Sequence, residues 1–322
     1  MKRIVVCLFL AALTGLVQSQ DEQPAIESLL RQEQESPDRR EIKKDLAKLY
    51  YEKARRDDAE NRRAEAKESY RNSAEYDRKA FALAPGEPGE YIRTAEILQY
   101  LGQTSAAVEM LTTARTVHPT DIPMRIALAE AFSAAREFGK ALAEFKATEE
   151  EAKSTRPDLL DDSFYFSFGA AAERAGKFDL AGTYFKLAID LIPADSDSIR
   201  VARAHNYLGY MWLEQGMNLP EAGEHILKAN ELLPDEGAFV DSLGWYYFLT
   251  KDYDKALTQL KHATALMDQT DPENAVVLDH LAQIHFALGH REEAIQELRK
   301  AVALAPKDAT LSNRLRDYES QK

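Results

Sequence analysis

The stretch that decides the fold of this chain is Val240-Asp241-Ser242-Leu243-Gly244-Trp245-Tyr246-Tyr247, followed by Ala256, Leu260 and Ala263. The same order of large and small residues occurs before it, as Tyr165, Phe168, Gly169, Ala172, Ala181, Phe185, Ala188 and Pro193. It occurs again after it, as Leu278, Leu281, Ala282, His285, Ala294, Leu298, Ala301 and Pro306. Because such an order at a period near 34 residues is typical of helical repeats, the sequence predicts an array of stacked helix pairs.

The small residues of this pattern indicate how the two helices of one pair approach each other. We expect the first helix to cross the second most closely at Gly169, Gly209, Gly244 and Ala282. An alanine early in the second helix allows the same close approach, while large residues fill the ridges between pairs. Proline then ends the second helix, because it cannot continue one.

The whole pattern resembles the tetratricopeptide repeat, in which W-x2-L-G-x2-Y is followed by A-x3-F and then by P. A key alanine recurs every 34 to 41 residues, at Ala107, Ala141, Ala181, Ala222, Ala256 and Ala294. The resemblance covers residues 85–306 strongly and residues 41–84 weakly. It implies an all-α fold, a right-handed superhelical solenoid of antiparallel helix pairs.

We predict four segments along the chain. Residues 1–19 are a signal peptide, and residues 20–84 are an N-terminal helical cap with one degenerate repeat. Residues 307–322 are a C-terminal capping helix, with Leu311, Leu315 and Tyr318 on one side. The six repeat units of residues 85–306 are expected at about 88–121, 122–161, 162–201, 202–236, 237–274 and 275–308.

The N-terminus has the features of an export signal. Lys2 and Arg3 precede an apolar run from Ile4 to Leu16, and Val17-Gln18-Ser19 supplies tolerated residues before a cut at Gln20. The alternative is an uncleaved anchor, although the run is shorter than the roughly 20 residues of a membrane span. Cys7 follows no lipobox, which disfavours lipid attachment. We therefore expect a periplasmic or secreted protein, with no stable membrane span after signal removal.

Composition excludes several kinds of chemistry. The formal net charge of −13 disfavours nucleic-acid partners. Cys7 is the only cysteine, so the mature chain would have no disulfide, thiolate zinc site or cysteine nucleophile. His280, His285 and His290 are five residues apart and scatter around a helix, and His285 takes a packing position. We predict no cofactor, no metal and no catalytic residue.

The resemblance also implies where a partner would bind, because the first helix of each unit lines a concave groove in tetratricopeptide arrays. The residues that map to lining positions are Phe166, Arg203, Asn206, Tyr210, Asp241, Trp245, Phe248, Asp279 and Gln283. Aromatic side chains supply contact area, and Asn or Asp can bond an extended backbone. The alternative is that these aromatics pack against neighbouring helices or against the C-terminal cap.

Three functions remain open from the sequence. The first is an exported, non-enzymatic scaffold that binds a protein or peptide in the groove. The second is a structural or assembly subunit that associates through its N-terminal helices or its convex face. The third is an enzyme, which would need a pocket of convergent titratable groups that the sequence does not contain. The oligomeric state does not follow from the sequence.

Overall fold

The computed structural model describes residues 22–268 and 270–321, and within them the regular structure is helical throughout. The all-α fold of antiparallel helix pairs is thereby confirmed. The predicted signal peptide and Cys7 lie outside the described residues. Within the described part, no helix has both the length and the apolarity needed to cross a bilayer.

The chain forms two compact units, and the first ends at Glu150, within the seventh helix. Its two long helices α2 and α3 lie within residues 20–84, and the shorter helix α1 precedes them. Ile26 of that first helix packs against Ile42 and Leu46 of α2. The helices up to the unit boundary are α1 (Glu22–Glu35), α2 (Arg40–Ala59), α3 (Arg63–Leu83), α4 (Pro88–Tyr100), α5 (Thr104–Val117), α6 (Ile122–Ala134) and α7 (Phe138–Thr155).

The second unit contains four helix pairs and a final single helix. Short 3-10 turns, Pro157–Leu159 and Pro272–Asn274, precede the first helices of two of these pairs. The predicted boundary between the units at 162–201 and 202–236 is wrong. Helix α10 begins at Ser198, where the Asp197 side chain caps its N-terminus, so residue 202 lies inside the helix. The helices are α8 (Asp162–Arg174), α9 (Phe178–Leu191), α10 (Ser198–Gln215), α11 (Leu219–Leu232), α12 (Gly237–Leu249), α13 (Tyr253–Leu266), α14 (Ala275–Ala287), α15 (Arg291–Leu304) and α16 (Ala309–Ser320).

The small residues of the pattern lie at the helix crossings. A methyl group added to Gly169 would lie 2.8 Å from the Phe185 ring, and one added to Gly209 would lie 2.9 Å from the Ala222 carbonyl oxygen. Neither separation leaves room for a side chain, so glycine permits the two helices of each pair to touch. The key alanines are fully buried, namely Ala107, Ala141, Ala181, Ala222, Ala256 and Ala294.

A second set of glycines receives rings from the next pair. A methyl group on Gly182 would lie 3.0 Å from the Trp212 ring, and one on Gly223 would lie 2.4 Å from the Tyr246 ring. Trp212 is among the largest fully buried side chains. These contacts join successive helix pairs of the second unit. Each aromatic ring occupies space that any residue with a side chain would fill, so glycine is needed at both positions.

Candidate functional site

The candidate site is the inner face, by which we mean the surface formed by α8, α10, α12 and α14. Among these first helices, α10 contacts α12 and α12 contacts α14. Each also packs against the second helix of its own pair. The inner face therefore brings together side chains from three successive repeats, as the resemblance implies for a groove.

A buried ion pair lies at the centre of the inner face. The Nδ1 atom of His280 on α14 lies 2.9 Å from Oδ1 of Asp241 on α12. Both side chains are buried, with 3% and 6% of their surface exposed. The Trp245 ring stacks on His280 with a centroid separation of 4.1 Å and on Phe248 with a separation of 4.8 Å. The pair thus connects α12 to α14, and the Trp245 ring stacks between His280 and Phe248.

The electrostatics of this pair favour the charged form of His280. Burial alone would lower its pKa, but the Asp241 carboxylate, with contributions from Asp279 and Glu214, raises the pKa above its ordinary value. Tyr210 is held in its neutral form, since burial and then the Glu214 and Asp241 carboxylates raise its pKa. His280 is therefore paired with Asp241 inside the protein, and little of its side chain is accessible to a substrate.

The C-terminal helix covers the last part of the inner face. The Arg314 guanidinium of α16 donates to Oδ2 of Asp279 on α14. Tyr318 stacks on Phe286 with centroids 3.8 Å apart, and Arg291 donates to the Tyr318 carbonyl oxygen. Asp279 is thus the predicted groove residue with a partner in α16, whereas none of the contacts described joins α16 to α10 or α12.

Removing α16 should destabilise the end of the array. Truncation after Lys307 removes Leu311 and exposes Leu278 and Ala301, which share its apolar cluster, at an expected cost of about 2 kcal/mol. Native-state hydrogen exchange should show faster exchange in α14 and α15 and unchanged rates in α8 and α9. The control is Arg299→Gln, which breaks only an exposed ion pair with Glu319. Equal protection of α14 in the truncated and full-length chains would contradict this account.

Phe166 has a structural partner on each side. Its ring lies 5.2 Å from that of Phe185 on α9 and 5.2 Å from that of Tyr207 on α10. The Tyr207 hydroxyl in turn donates to the Glu173 carboxylate at 2.6 Å. Phe166 therefore joins α8 to α10, and only part of its ring remains available to a ligand.

The remaining predicted residues retain accessible surface. Arg203 is exposed, and Asn206, Phe248 and Gln283 are half-buried. Some hydrogen-bonding atoms of the inner face also have no partner among the described residues: Oδ1 of Asn206, Nε1 of Trp245 and Oδ1 of Asp279. Uncompensated polar atoms of this kind are uncommon in folded proteins. They belong to three residues that the sequence assigned to the groove.

The described residues contain no group of three or more His, Asp, Glu or Cys side chains that could hold a metal ion.

The sequence missed the partners that complete the inner face, namely His280, Arg314 and Tyr318. The repeat offset contains a usable signal for the first of these. Residue 279 occupies the position in its repeat that residue 241 occupies one unit earlier. Because α12 and α14 are neighbours, this register places His280, the next residue along the chain, within reach of Asp241.

Both the sequence and the fold of this chain are similar to those of known repeat proteins. A sequence model of the tetratricopeptide repeat matches residues 242–307, which include α13, α14 and α15. A tetratricopeptide repeat protein from Parabacteroides merdae superposes with a TM-score of 0.59 at 15% identity, over 86% of this chain and 100% of that one. Residues 242–307 of this chain thus resemble the tetratricopeptide repeat, and the described residues have the fold of a tetratricopeptide-repeat protein. Members of this family are generally non-enzymatic scaffolds that bind protein partners.

Two further solved structures share the fold, and one curated protein is similar in sequence. The structure titled APC/C hetero-tetramer Cut9-Hcn1 has a TM-score of 0.55 at 16% identity, over 78% of this chain and 46% of that one. The pilF protein of Pseudomonas aeruginosa has a TM-score of 0.54 at 16% identity, over 71% of this chain and 97% of that one. Anaphase-promoting complex subunit 3 of Schizosaccharomyces pombe is 26% identical over 187 residues, which are 57% of this chain and 25% of that protein. The matched region thus spans a quarter of that curated relative, and these likenesses concern the tetratricopeptide fold.

Proposed function

We propose that this protein is an extracytoplasmic scaffold that binds a protein or peptide on its inner face without a cofactor. One observation carries the proposal. Asn206, Trp245 and Asp279, which come from successive first helices, each have a polar atom that the protein leaves unpaired. A bound chain whose backbone offers both donors and acceptors could satisfy such atoms after small side-chain rotations.

The accessible part of the inner face suits an extended peptide. Arg203, Asn206 and Phe248 combine a cation, an amide and an aromatic surface on the adjacent helices α10 and α12. Asp241 and Trp245 support this surface from beneath, through His280. We therefore assign contact to Arg203, Asn206 and Phe248 and to the unpaired polar atoms of Trp245 and Asp279. Asp241 has a positioning role, because side chains held by internal partners are preorganised.

Variants of the accessible residues test the proposal. Arg203→Glu with Asn206→Ala should weaken partner capture at least about tenfold, since a desolvated charged contact contributes roughly 1.5–3 kcal/mol. The matched control is Lys228→Glu on α11, an exposed lysine of the same helix pair. Affinity capture from the native compartment, quantified by mass spectrometry, is the measurement. Equal recovery of the same partners by the parent and the double variant would refute the groove assignment, provided that both chains are equally helical by circular dichroism.

Export is the second part of the proposal. It rests on the basic start, the apolar run and the cleavage pattern around Ser19. N-terminal sequencing of the chain isolated from fractionated cells should find Gln20 as the first residue. An intact Met1 in the cytosolic fraction would contradict it.

An assembly subunit is the second candidate, and one observation favours it. Leu180 on α9 and Leu227 on α11 are exposed by 37% and 46% on second helices of neighbouring pairs. Exposed apolar side chains in such neighbouring positions can mark association surfaces. If this function is correct, Leu180→Lys with Leu227→Lys should change the mass measured by light scattering, and the groove variants should not.

A further inference from the structure

A small cavity is lined by residues of α14 and of the two second helices α13 and α15. Its volume is about 350 Å³, which is at the lower end of the range for small-molecule sites. The side chains that matter for its chemistry are Lys261, Thr264, Leu281, His285, Glu297 and Lys300. Of these, Leu281 and His285 come from α14, which lies between the two second helices in sequence and provides the buried part of the lining.

His285 is the unusual member of this set. It is buried, with 7% of its surface exposed, and its Nδ1 atom has no hydrogen-bond partner among the described residues. Burial lowers its pKa, and the nearby Lys261 and His290 lower it further. A buried imidazole that the fold leaves unpaired carries an energetic cost unless something else supplies the hydrogen bond.

The charges around His285 favour an anion with one negative charge. Lys261 and Lys300 both line the cavity, and Lys300 pairs with Glu297 at 2.8 Å. Lys261 forms no ion pair with any residue that the structure describes. Two lysines and one glutamate leave a single net positive charge beside a neutral imidazole, which matches a carboxylate better than a doubly charged phosphate.

The apolar part of the lining narrows the ligand class further. Leu281 is buried in the cluster that contains Val277 and Ile284. A fully hydrated inorganic anion gains nothing from contact with such a wall, whereas a short alkyl group does. The occupant should thus carry a carboxylate at one end and a few carbon atoms at the other.

We propose that this cavity binds a short-chain aliphatic carboxylate, either as a free acid or as the C-terminal residue of a peptide. Lys261 pairs with the carboxylate, the Nδ1–H group of His285 donates to it the hydrogen bond for which the fold supplies no acceptor, and Leu281 contacts the alkyl chain. This site is independent of the groove, because none of its residues belongs to the set proposed to contact a partner there.

Nuclear magnetic resonance of the full chain tests the proposal. The ring resonances of His285 are assigned by comparison with His285→Gln, and sodium butyrate is titrated against sodium chloride of equal ionic strength. We expect a saturable shift of the His285 resonances with butyrate alone. The Lys261→Gln variant should bind butyrate at least about tenfold more weakly. Lys255 is an exposed lysine on the same helix, and the Lys255→Gln variant should bind butyrate with unchanged affinity.

Two further probes identify the source of the carboxylate. N-acetyl-leucine mimics the end of a peptide, and tighter binding than butyrate would support a peptide C-terminus, whereas the reverse order would support a free acid. N-acetyl-leucinamide lacks the charge and should not bind. The proposal is overturned by butyrate shifts that do not saturate, by equal affinity in Lys261→Gln, by equal binding of the amide, or by tighter binding of inorganic phosphate.

Discussion

Replacing Asp241 with alanine should lower the free energy of unfolding by about 3 kcal/mol, because it leaves His280 buried without its partner. The two side chains are almost fully enclosed and 2.9 Å apart. Urea denaturation followed by circular dichroism measures the loss. A decrease of less than about 1 kcal/mol would show that the pair contributes no more than an exposed one.

The chain offers a matched control with the same residue types. Asp235 and His262 are 3.7 Å apart with 80% and 44% of their side chains exposed. Asp235→Ala should therefore change the unfolding free energy by less than about 1 kcal/mol. A double-mutant cycle with His280→Ala separates the pairwise energy at the buried site from the loss of packing against Trp245.

The same pair gives stability a defined dependence on pH. The pKa of His280 is raised in the folded state, so folding takes up a proton at this residue. The contribution is fully present below the unfolded pKa of about 6.5 and is lost as the pH rises through the folded pKa. The difference between the parent and Asp241→Ala should thus be larger at pH 6 than at pH 9. A difference that grows with pH would contradict the charge assignment.

Replacing Gly244 with alanine should destabilise the chain by about 1–3 kcal/mol through overpacking. The added methyl group would lie 1.7 Å from Cδ2 of Leu260, which is itself fully buried in the core of the α12–α13 pair. Leu260 cannot move away without displacing its neighbours, because protein interiors are close-packed. Thermal and urea denaturation measure the change.

Two further variants test whether overpacking causes the loss of stability. Gly139 lies in α7, and a methyl group there would meet nothing within 4 Å, so Gly139→Ala should be neutral or stabilising by up to about 1 kcal/mol. Leu260→Val should partly rescue Gly244→Ala by removing volume at the clash. If Gly244→Ala is as stable as the parent, the helices of this pair do not approach as closely as described.

Small residues at helix crossings were predictable from the sequence, because they obey a rule of local spacing. Ala181 and Ala222 recur at the family position and are fully buried, and Gly209 lies against α11 as expected. The N-terminal boundary of α10 was not predictable from the same pattern. Asp197 caps the helix one residue before Ser198, and this local signal took precedence over the repeat period.

The inner face was predictable only in outline. Register placed Asp241, Trp245 and Asp279 on first helices and His280 within reach of Asp241, but no spacing rule pairs Asp279 with Arg314. The two contacts join α12 to α14 and α14 to α16, and they depend on side-chain directions and on where α16 packs. As a result, several residues expected to contact a partner instead have partners within the protein.

The most direct test of the central claim, that the inner face binds a protein partner, is photo-crosslinking in the native compartment. A photoreactive amino acid at position 206 on α10 is compared with one at position 228 on α11. The account predicts a discrete crosslinked species from position 206 that is absent from position 228, identified by mass spectrometry. Crosslinks from position 228 with none from position 206, in chains of equal helicity, would contradict it and favour the assembly subunit.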